Sequence, residues 1–389
     1  MNEETKQFIA QHRTSDTRTL ALQAARYPAV DMREAITQIE GWQAAKNKLP
    51  EWAATKEIIY PPRISMEQCS SETTALYKAS LVQGTSIADL TGGFGIDCSY
   101  MSRKFTKAIY IERNTLLCDI ARHNFSKLGL LHTTIINGES EEALLALPQQ
   151  DWIFIDPARR DGDGRKVVAL ADCTPDVTAM ENVMLQKSHK VMIKCSPMLD
   201  IKAASRELRN ISEIHIVAVG NECKELLFIL SGEGASTPPI HCINITNSGN
   251  ETFTFTAREE EKASVNYAKE VHTYIYEPNA AIQKGGCYKT LANVTGTEKL
   301  HPNSQLFTAD RLIPDFPGRR FKVEKVFGFT KREIKEISSI GKANITVRNF
   351  PDSVQMLRKR LKLSEGGNDY LFATTTADER KVIILCHRI

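Results

Sequence analysis

Apolar residues recur at helical spacing in the first 84 residues and then change to short continuous runs. Between Ile36 and Ala45 they fall on one face of a predicted helix that ends ahead of Pro50. A Pro-Pro pair at 61–62 interrupts this pattern, and a further helical stretch is predicted over 66–81. The first part of the chain is therefore predicted to be helical.

Seven short apolar runs alternate with amphipathic segments over the following stretch of about 145 residues. This alternation is typical of a parallel α/β sheet covered on both faces. The loop between the last two runs is too short for a helix, so we expect these two strands to form an antiparallel hairpin at the sheet edge. The predicted strands are 86–90, 108–111, 133–136, 152–155, 190–194, 213–219 and 226–230.

Two smaller α+β patterns follow the glycine-containing segment 231–234. The first contains strands such as 252–256 and a helix predicted to open at Pro278. In the second, Thr330 and Glu333 fit a capping box at the start of a helix. Its predicted elements are strand 320–327, helix 331–340, strand 344–350, helix 353–363 and further strands at Tyr370 and Lys381.

Composition excludes several protein classes and locates the positive charge. Hydrophobic residues make up 42% of the 389 residues and charged residues 25%, as in ordinary globular proteins rather than disordered, collagen-like or membrane-embedded ones. The net charge is only +3, but residues 301–389 hold 17 Lys/Arg against 10 Asp/Glu. This uneven distribution points to a basic C-terminal face.

Cysteine spacing and hydropathy suggest a cytoplasmic protein. The nine cysteines include no CxxC motif and no Cys/His pair at finger spacing, so we expect free thiols and no metal. The first residues are acidic, and no window approaches the roughly 18 apolar residues of a membrane span. We expect a cytoplasmic protein without a membrane partner.

A glycine-rich turn, Asp89-Leu90-Thr91-Gly92-Gly93-Phe94-Gly95, follows the first predicted strand. Glycine lets the backbone approach a ligand closely, and Glu112, 19 residues after Gly93, stands where a carboxylate can accept from both ribose hydroxyls. A dinucleotide fingerprint would place a third glycine where Cys98 stands, whereas Asp89 suits a cationic sulfonium ligand better than a pyrophosphate. We expect S-adenosylmethionine here, with NAD and an oxidoreductase activity as the alternative.

This turn, together with Asn137-Gly138-Glu139 and Asp156-Pro157-Ala158-Arg159-Arg160, resembles motifs I to IV of class I S-adenosylmethionine-dependent methyltransferases over about residues 66–230. The resemblance implies a Rossmann-like seven-stranded α/β sheet with an N-terminal helical domain and two small C-terminal α+β domains. It also implies that Asp89 and the glycines hold the methionine moiety, Glu112 the ribose and Glu139 the adenine amino group. The full cofactor-binding set implied is Gln68, Asp89, Thr91, Gly92, Gly93, Gly95, Glu112, Arg113, Glu139, Asp156 and Pro157.

The whole chain is similar to bacterial methyltransferases with a ferredoxin-like insert and a C-terminal THUMP-like domain. The domains implied are a helical domain over 1–65, the methyltransferase domain over 66–232, a ferredoxin-like domain over 233–300 and a basic THUMP-like domain over 301–389.

The segment Lys194-Cys195-Ser196-Pro197 and Glu225 resemble motifs of carbon-5 uridine RNA methyltransferases. The resemblance implies that Cys195 is a nucleophile, Glu225 the base that removes the C5 proton and Asp156 the group that orients the uracil, because C5 attacks only after a thiolate adds to C6. Cys195 as an inert buried thiol is the competing interpretation. Exocyclic-amine chemistry is the alternative, although Ala158 and Arg159 stand where such enzymes carry a proline and a stacking aromatic.

Basic residues cluster in the last 71 residues of the chain, at 319–322, 331–335 and 358–362. They predict either an RNA-binding face or a solvated helix surface. Because THUMP domains accompany tRNA-modifying enzymes, the resemblance implies tRNA or structured rRNA as the partner. A non-catalytic RNA-binding protein that keeps the methyltransferase fold is the remaining alternative.

Overall fold

The computed structural model describes residues 1–159 and 169–389, which form two compact units. The first unit comprises Met1–Ser212 and Glu225–Ala235, and the second Glu213–Lys224 and Ser236–Ile389. Of Arg159 only the backbone is described, and Arg160 of the predicted fourth motif lies outside the described residues.

Six helices precede the first strand, as the sequence pattern predicts. The prediction of one helix over 66–81 is wrong, because residues 69–71 separate α5 from α6. The Ser71 side chain accepts a hydrogen bond from Thr74 N and so caps the start of a new helix. The helices are α1 (Glu3–His12), α2 (Thr17–Leu22), α3 (Met32–Lys48), α4 (Pro50–Ala54), α5 (Arg63–Gln68) and α6 (Glu72–Leu81).

Strands and helices then alternate, and all seven predicted strands form. The strands are β1 (Ser86–Asp89), β2 (Lys107–Glu112), β3 (Thr133–Asn137), β4 (Gln150–Ile155), β5 (Ala158–Arg159), β6 (Cys173–Thr174), β7 (Ser188–Cys195), β8 (Ile211–Val219) and β9 (Glu222–Ser231). The helices are α7 (Ile96–Met101), α8 (Thr115–Lys127), α9 (Ser140–Ala146), α10 (Val177–Lys187) and α11 (Ile201–Glu207).

The sheet of the first unit has the order β3-β2-β1-β4-β7-β9. The pairs from β3 to β7 are parallel, and β9 runs antiparallel to β7. The carboxyl ends of β1, β2, β4 and β7 therefore meet at one edge, where a doubly wound sheet binds its ligand.

The turn that joins β8 to β9 consists of Gly220 and Asn221, both at positive φ as in the type I′ turn of a hairpin. The predicted hairpin is confirmed, but its predicted place at the sheet edge is wrong. Strand β10 (Pro239–Thr246) pairs in parallel with β8, and β11 (Gly249–Thr256) pairs antiparallel with β10.

A second sheet has the order β13-β14-β12-β15-β18-β17-β16. Its strands are β12 (Tyr274–Pro278), β13 (Glu298–Lys299), β14 (Phe307–Ala309), β15 (Gly318–Phe327), β16 (Asn344–Arg348), β17 (Asp369–Thr375) and β18 (Lys381–Arg388). The helices of this unit are α12 (Ala257–Lys262), α13 (Ala280–Gly285), α14 (Tyr288–Thr295), α15 (Lys331–Ser338) and α16 (Val354–Leu361).

Helix starts in the second unit follow their caps. The predicted opening of a helix at Pro278 is wrong, since Pro278 ends β12 and Asn279 caps α13 by accepting from Ile282 N. The predicted capping box of Thr330 and Glu333 at α15 is confirmed. Across residues 1–159 and 169–389, no helix has both the length and the apolar character needed to cross a membrane.

Candidate active site

The turn after β1 has a geometry that only glycine permits. Gly93 and Gly95 adopt φ values of +54° and +87°. A Cβ on Gly92 would lie 2.1 Å from a ring carbon of Tyr110, whose hydroxyl donates to Gly93 O at 2.6 Å. On the other side, a Cβ on Gly93 would meet only Thr91 O, at 3.8 Å. The turn is thus packed against Tyr110 at Gly92 and open at Gly93.

Phe94 fixes this turn to the N-terminal helices. Its buried ring lies 4.8 Å from that of Trp52 in α4 and 6.4 Å from that of Tyr60. Tyr60 is held in turn by Gln38 of α3, which donates to Tyr60 O at 2.9 Å and accepts from Tyr60 N at 2.8 Å. The N-terminal helices therefore support the wall of the crevice.

Asp89, at the end of β1, is a buried carboxylate beside the turn. Its side chain is 1% exposed and accepts from Thr91 N at 3.0 Å. Burial raises the pKa of Asp89 well above its ordinary value, and the carboxylates of Asp97, Asp156 and Glu112 add to this effect. A ligand that brings an ammonium group would offset this cost, because an opposite charge favours the ionised carboxylate.

Glu112, at the end of β2, lies against the same turn. Its Oε2 accepts from Gly93 N at 2.9 Å and its Oε1 from Asn114 N at 2.8 Å. Each carboxylate oxygen keeps a lone pair for a further donor. The Glu112 side chain is therefore fixed where two vicinal hydroxyls of a ribose would find acceptors.

The other residues of the predicted cofactor set lie in the loops after β1, β2 and β4, before α9 and at the end of α5. Thr91 Oγ1 accepts from Asp156 N at 2.6 Å and so connects the loops after β1 and β4, where half-buried Pro157 follows. Glu139 is exposed immediately before α9, and Arg113 is exposed after β2. Gln68 is exposed at the end of α5, where no described contact joins it to the turn. Their roles stay predictions.

A chain of alternating charges extends inward from the site. Lys194 Nζ, near the end of β7, lies 2.5 Å from Asp156 Oδ2 and 3.4 Å from Asp97 Oδ2. Lys78 Nζ of α6 lies 3.2 Å from Asp97 Oδ1 and 2.6 Å from Glu225 Oε1. We call these five side chains the charge chain. Except for Asp156, all its members are buried or nearly so.

Neighbouring charges within the charge chain shift the pKa values of Lys194 and Asp97. Burial alone would lower the pKa of Lys194, but the carboxylates of Asp156, Asp97 and Glu225 raise it well above its ordinary value. Burial opposes ionisation of Asp97 as well, yet Lys78 and Lys194 lower its pKa. The raised pKa of Lys194 favours its charged form, which pairs with the Asp156 carboxylate.

Cys195, the last residue of β7, has the surroundings of an inert thiol. It is 7% exposed, and burial, with Asp156 nearby, raises its pKa well above the ordinary value. A nucleophilic cysteine needs the opposite shift. The environment predicted for a thiolate is therefore not the one observed.

Glu225 likewise lacks the exposure expected of a base. It is 3% exposed and both its oxygens accept from Lys78 Nζ, at 2.6 and 2.8 Å. Burial raises its pKa in spite of the Lys78 charge. The predicted proton-removing base is thus an internal ion-pair partner in this structure.

The sequence interpretation missed Lys78, Asp97 and Lys194. Lys78 could have been found, because it stands on the same stripe of α6 as the buried Thr74 and Ala75. A lysine among such positions signals a buried partner. Asp97 follows the glycine-rich turn and Lys194 lies near the end of β7, so both positions are close to a ligand site. Their contact could not be predicted, because they belong to elements that are distant along the chain.

The predicted basic cluster divides into structural and exposed members. Arg319 pairs with Glu277, which is 2% exposed and also lies 2.8 Å from Arg348. In α15 and α16, Ile337, Leu357 and Leu361 enter a hydrophobic core cluster. The exposed cations on these two helices are Lys331, Arg332, Lys335, Lys359 and Arg360.

The residues of the crevice fit S-adenosylmethionine. The glycine-rich turn leaves room for the methionine moiety close to the backbone. The buried Asp89 carboxylate, whose pKa is raised, suits the ammonium group of that moiety. The anchored Glu112 carboxylate at the end of the next strand suits the ribose.

Comparison with known proteins agrees with this assignment. Residues 274–317 match a family described as a ferredoxin-like domain and residues 318–388 one described as THUMP domain-like, in the predicted order. The chain is 24% identical over 320 residues to an "uncharacterized S-adenosylmethionine-dependent methyltransferase" of Mycobacterium tuberculosis strains CDC 1551 / Oshkosh and H37Rv, covering 80% of this chain and 82% of that protein. The domain boundaries predicted from the sequence stay predictions.

A solved structure extends the likeness to almost the whole chain. The crystal structure of a "putative methyltransferase" from Porphyromonas gingivalis W83 shares 35% sequence identity and a TM-score of 0.89, with 98% of this chain and 96% of that chain covered. The chain therefore belongs to the class I S-adenosylmethionine-dependent methyltransferases that carry ferredoxin-like and THUMP-like domains.

Proposed function

We propose that this methyltransferase acts on a base of structured RNA, such as tRNA or rRNA. The observation that carries the proposal is the basic character of the THUMP-like segment. Residues 318–388 contain 16 Lys/Arg against 8 Asp/Glu, and α15 and α16 expose five of these cations while their apolar sides are buried. Such a surface neutralises phosphates without reading sequence.

Asp156 is the group we assign to the acceptor base. S-adenosylmethionine, when bound, supplies a methyl group on an electrophilic sulfonium. The Asp156 side chain is 37% exposed at the carboxyl end of β4, and Lys194 occupies its Oδ2. We assign to its Oδ1 the role of accepting a hydrogen bond from an N–H of the base and of taking up the proton as the methyl group arrives.

The surroundings of Cys195 and Glu225 bear on which atom of the base accepts the methyl group. Transfer to uridine C5 needs a thiolate at Cys195 and a base at Glu225, whereas the first has a raised pKa and the second is paired with Lys78. Direct transfer to a nitrogen of the base needs only an oriented acceptor, which Asp156 provides. We therefore favour an amino or ring nitrogen, and the stacking aromatic that is missing at Arg159 would have to be supplied by another residue.

Replacing Cys195 with alanine separates these two reactions. For direct transfer we expect the single-turnover rate of Cys195→Ala to stay within about threefold of the unmodified enzyme, because a neutral buried thiol contributes only packing. The rate is measured with labelled S-adenosylmethionine on the RNA pool that accepts most label. Loss of all transfer with unchanged S-adenosylhomocysteine affinity would instead support C5 chemistry through Cys195.

Methyl incorporation into RNA from cells that lack this protein tests the proposed substrate. We expect label in one RNA class.

RNA binding at several salt concentrations tests the basic face. We expect Lys331→Ala/Arg332→Ala/Lys335→Ala to reduce the slope of log binding constant against log salt concentration by about 3, one for each phosphate that the variant no longer neutralises. A matched control, Lys6→Ala/Lys46→Ala/Lys56→Ala, removes three exposed cations from α1, α3 and the turn after α4.

Two outcomes would contradict the proposal. RNA binding without incorporation into any RNA pool would support the non-catalytic alternative. An equal loss of salt dependence in the control variant would show that α15 does not form the RNA-binding face.

A further inference from the structure

Three potential metal ligands meet on the paired strands β8 and β10 of the second unit. His215 on β8 and His241 on β10 are direct partners in the parallel register. Glu213 precedes His215 by two residues and therefore lies on the same face of the sheet. The backbone pairing thus sets the spacing of all three side chains.

Both imidazoles present the same ring nitrogen to one carboxylate oxygen. Glu213 Oε2 lies 3.4 Å from His215 Nε2 and 3.8 Å from His241 Nε2. The three ligand atoms all lie within 4.8 Å of one another. Bonds of about 2.0–2.2 Å to a tetrahedral ion place neighbouring ligands roughly 3.3–3.5 Å apart, so small side-chain rotations would close the set.

A hydrogen bond orients one of the two rings. His241 Nδ1 lies 2.9 Å from Thr254 Oγ1 on the neighbouring strand β11, which leaves Nε2 for a ligand bond. Such a partner on the other ring nitrogen is a recurrent feature of metal-bound histidine.

We propose that Glu213, His215 and His241 bind one divalent transition-metal ion of the Zn²⁺ class. Two imidazoles and one carboxylate suit zinc, cobalt or nickel, whereas magnesium and calcium prefer all-oxygen ligands. His215 is buried, while His241 and Glu213 are each about a third exposed, so the remaining coordination position faces water. The ion would hold β8 to β10.

This proposal departs from the expectation of no metal. The sequence shows no ligand pair at finger spacing, because the two histidines are separated by 25 intervening residues. Parallel pairing of β10 with β8 brings them together. The sequence interpretation did not predict this pairing, because it placed the β8–β9 hairpin at the sheet edge.

Calorimetric titration of the chelator-treated full-length protein with Zn²⁺ tests the site. We expect one ion per chain, and an affinity lower by about 100-fold or more in His241→Gln and Glu213→Gln, since loss of an outer-shell partner alone costs about 10–100-fold. His215 is left unchanged because its burial makes a folding defect an alternative cause of lost binding.

His272→Gln is the matched control. His272 lies between two carboxylates, with its Nε2 2.9 Å from Glu298 and its Nδ1 3.2 Å from Asp310. Because the two carboxylates contact different nitrogens of the ring, these three side chains do not converge on one point. We expect its zinc titration to match that of the unmodified protein. Unchanged binding in His241→Gln, or an equal loss in His272→Gln, would overturn the proposal.

Co²⁺ in place of Zn²⁺ identifies the ligands. We expect d–d bands of a nitrogen- and oxygen-ligated ion that disappear in His241→Gln, in a variant whose metal-free melting temperature equals that of the unmodified protein. Thiolate-to-cobalt charge-transfer bands would place the ion on cysteines and overturn the assignment.

Discussion

Replacing Asp156 with asparagine is expected to reduce the rate of methyl transfer by about 10²–10⁴-fold, the usual contribution of a positioned general base. The amide keeps the size of the side chain and its contact with Lys194 but cannot take up a proton. The backbone bond from Asp156 N to Thr91 Oγ1 is retained, so the crevice keeps its shape. Single-turnover transfer to RNA measures the rate, and S-adenosylhomocysteine titration should give an affinity close to that of the unmodified enzyme.

Asp151→Asn is the control for this variant. Asp151 stands at the opposite end of β4, where its carboxylate accepts from Thr85 N at 2.5 Å and Ser86 N at 3.0 Å. We expect that substitution to affect stability and to leave the single-turnover rate near its normal value. A rate above one-tenth of normal in Asp156→Asn would show that this carboxylate takes no proton in the reaction.

Replacing Lys78 with methionine is expected to lower the free energy of unfolding of the first unit by about 3–5 kcal/mol. The substitution fills the same space but leaves Glu225 and Asp97 buried without their shared cation. All three tryptophans, Trp42, Trp52 and Trp152, lie in the first unit. Urea denaturation followed by tryptophan fluorescence therefore reports on this unit.

Two control variants test whether the stability lost in Lys78→Met comes from the buried, unpaired carboxylates. Lys127→Met removes a cation from an exposed pair with Glu57 and should cost at most about 1 kcal/mol. Lys78→Met/Glu225→Gln removes one uncompensated charge together with the cation and should recover part of the lost stability. A loss below about 1 kcal/mol in Lys78→Met would mean that the buried carboxylates do not depend on Lys78.

Local signals explain how much of this molecule is predictable from the sequence. The seven strands, the glycine-rich turn and the capping box at Thr330 are each encoded within about ten residues. Asp89 and Glu112 could be placed at the turn because parallel strands bring their carboxyl ends to one edge. These features depend on neighbours along the chain or on the general geometry of the fold.

Features that depend on distant residues escaped prediction. The charge chain draws on α6, α7, β7, β9 and the end of β4, so no local pattern reveals which of its charges meet. The addition of β10 to β8 depends on which strand edge remains free after folding. Cys195 illustrates the same limit, because its motif fits a nucleophile whereas its pKa is set by burial among other elements.

The stacking of Phe94 on Trp52 has a consequence for how this enzyme can be divided. A fragment that starts at residue 66 would retain every sheet strand and every predicted cofactor ligand, but it would lose the Trp52 ring that packs against Phe94. Trimming to such a fragment, or grafting the sheet into a chimera, would leave the glycine-rich turn without this aromatic contact. Designers of shortened forms should therefore keep the leading helices as an integral part of the enzyme.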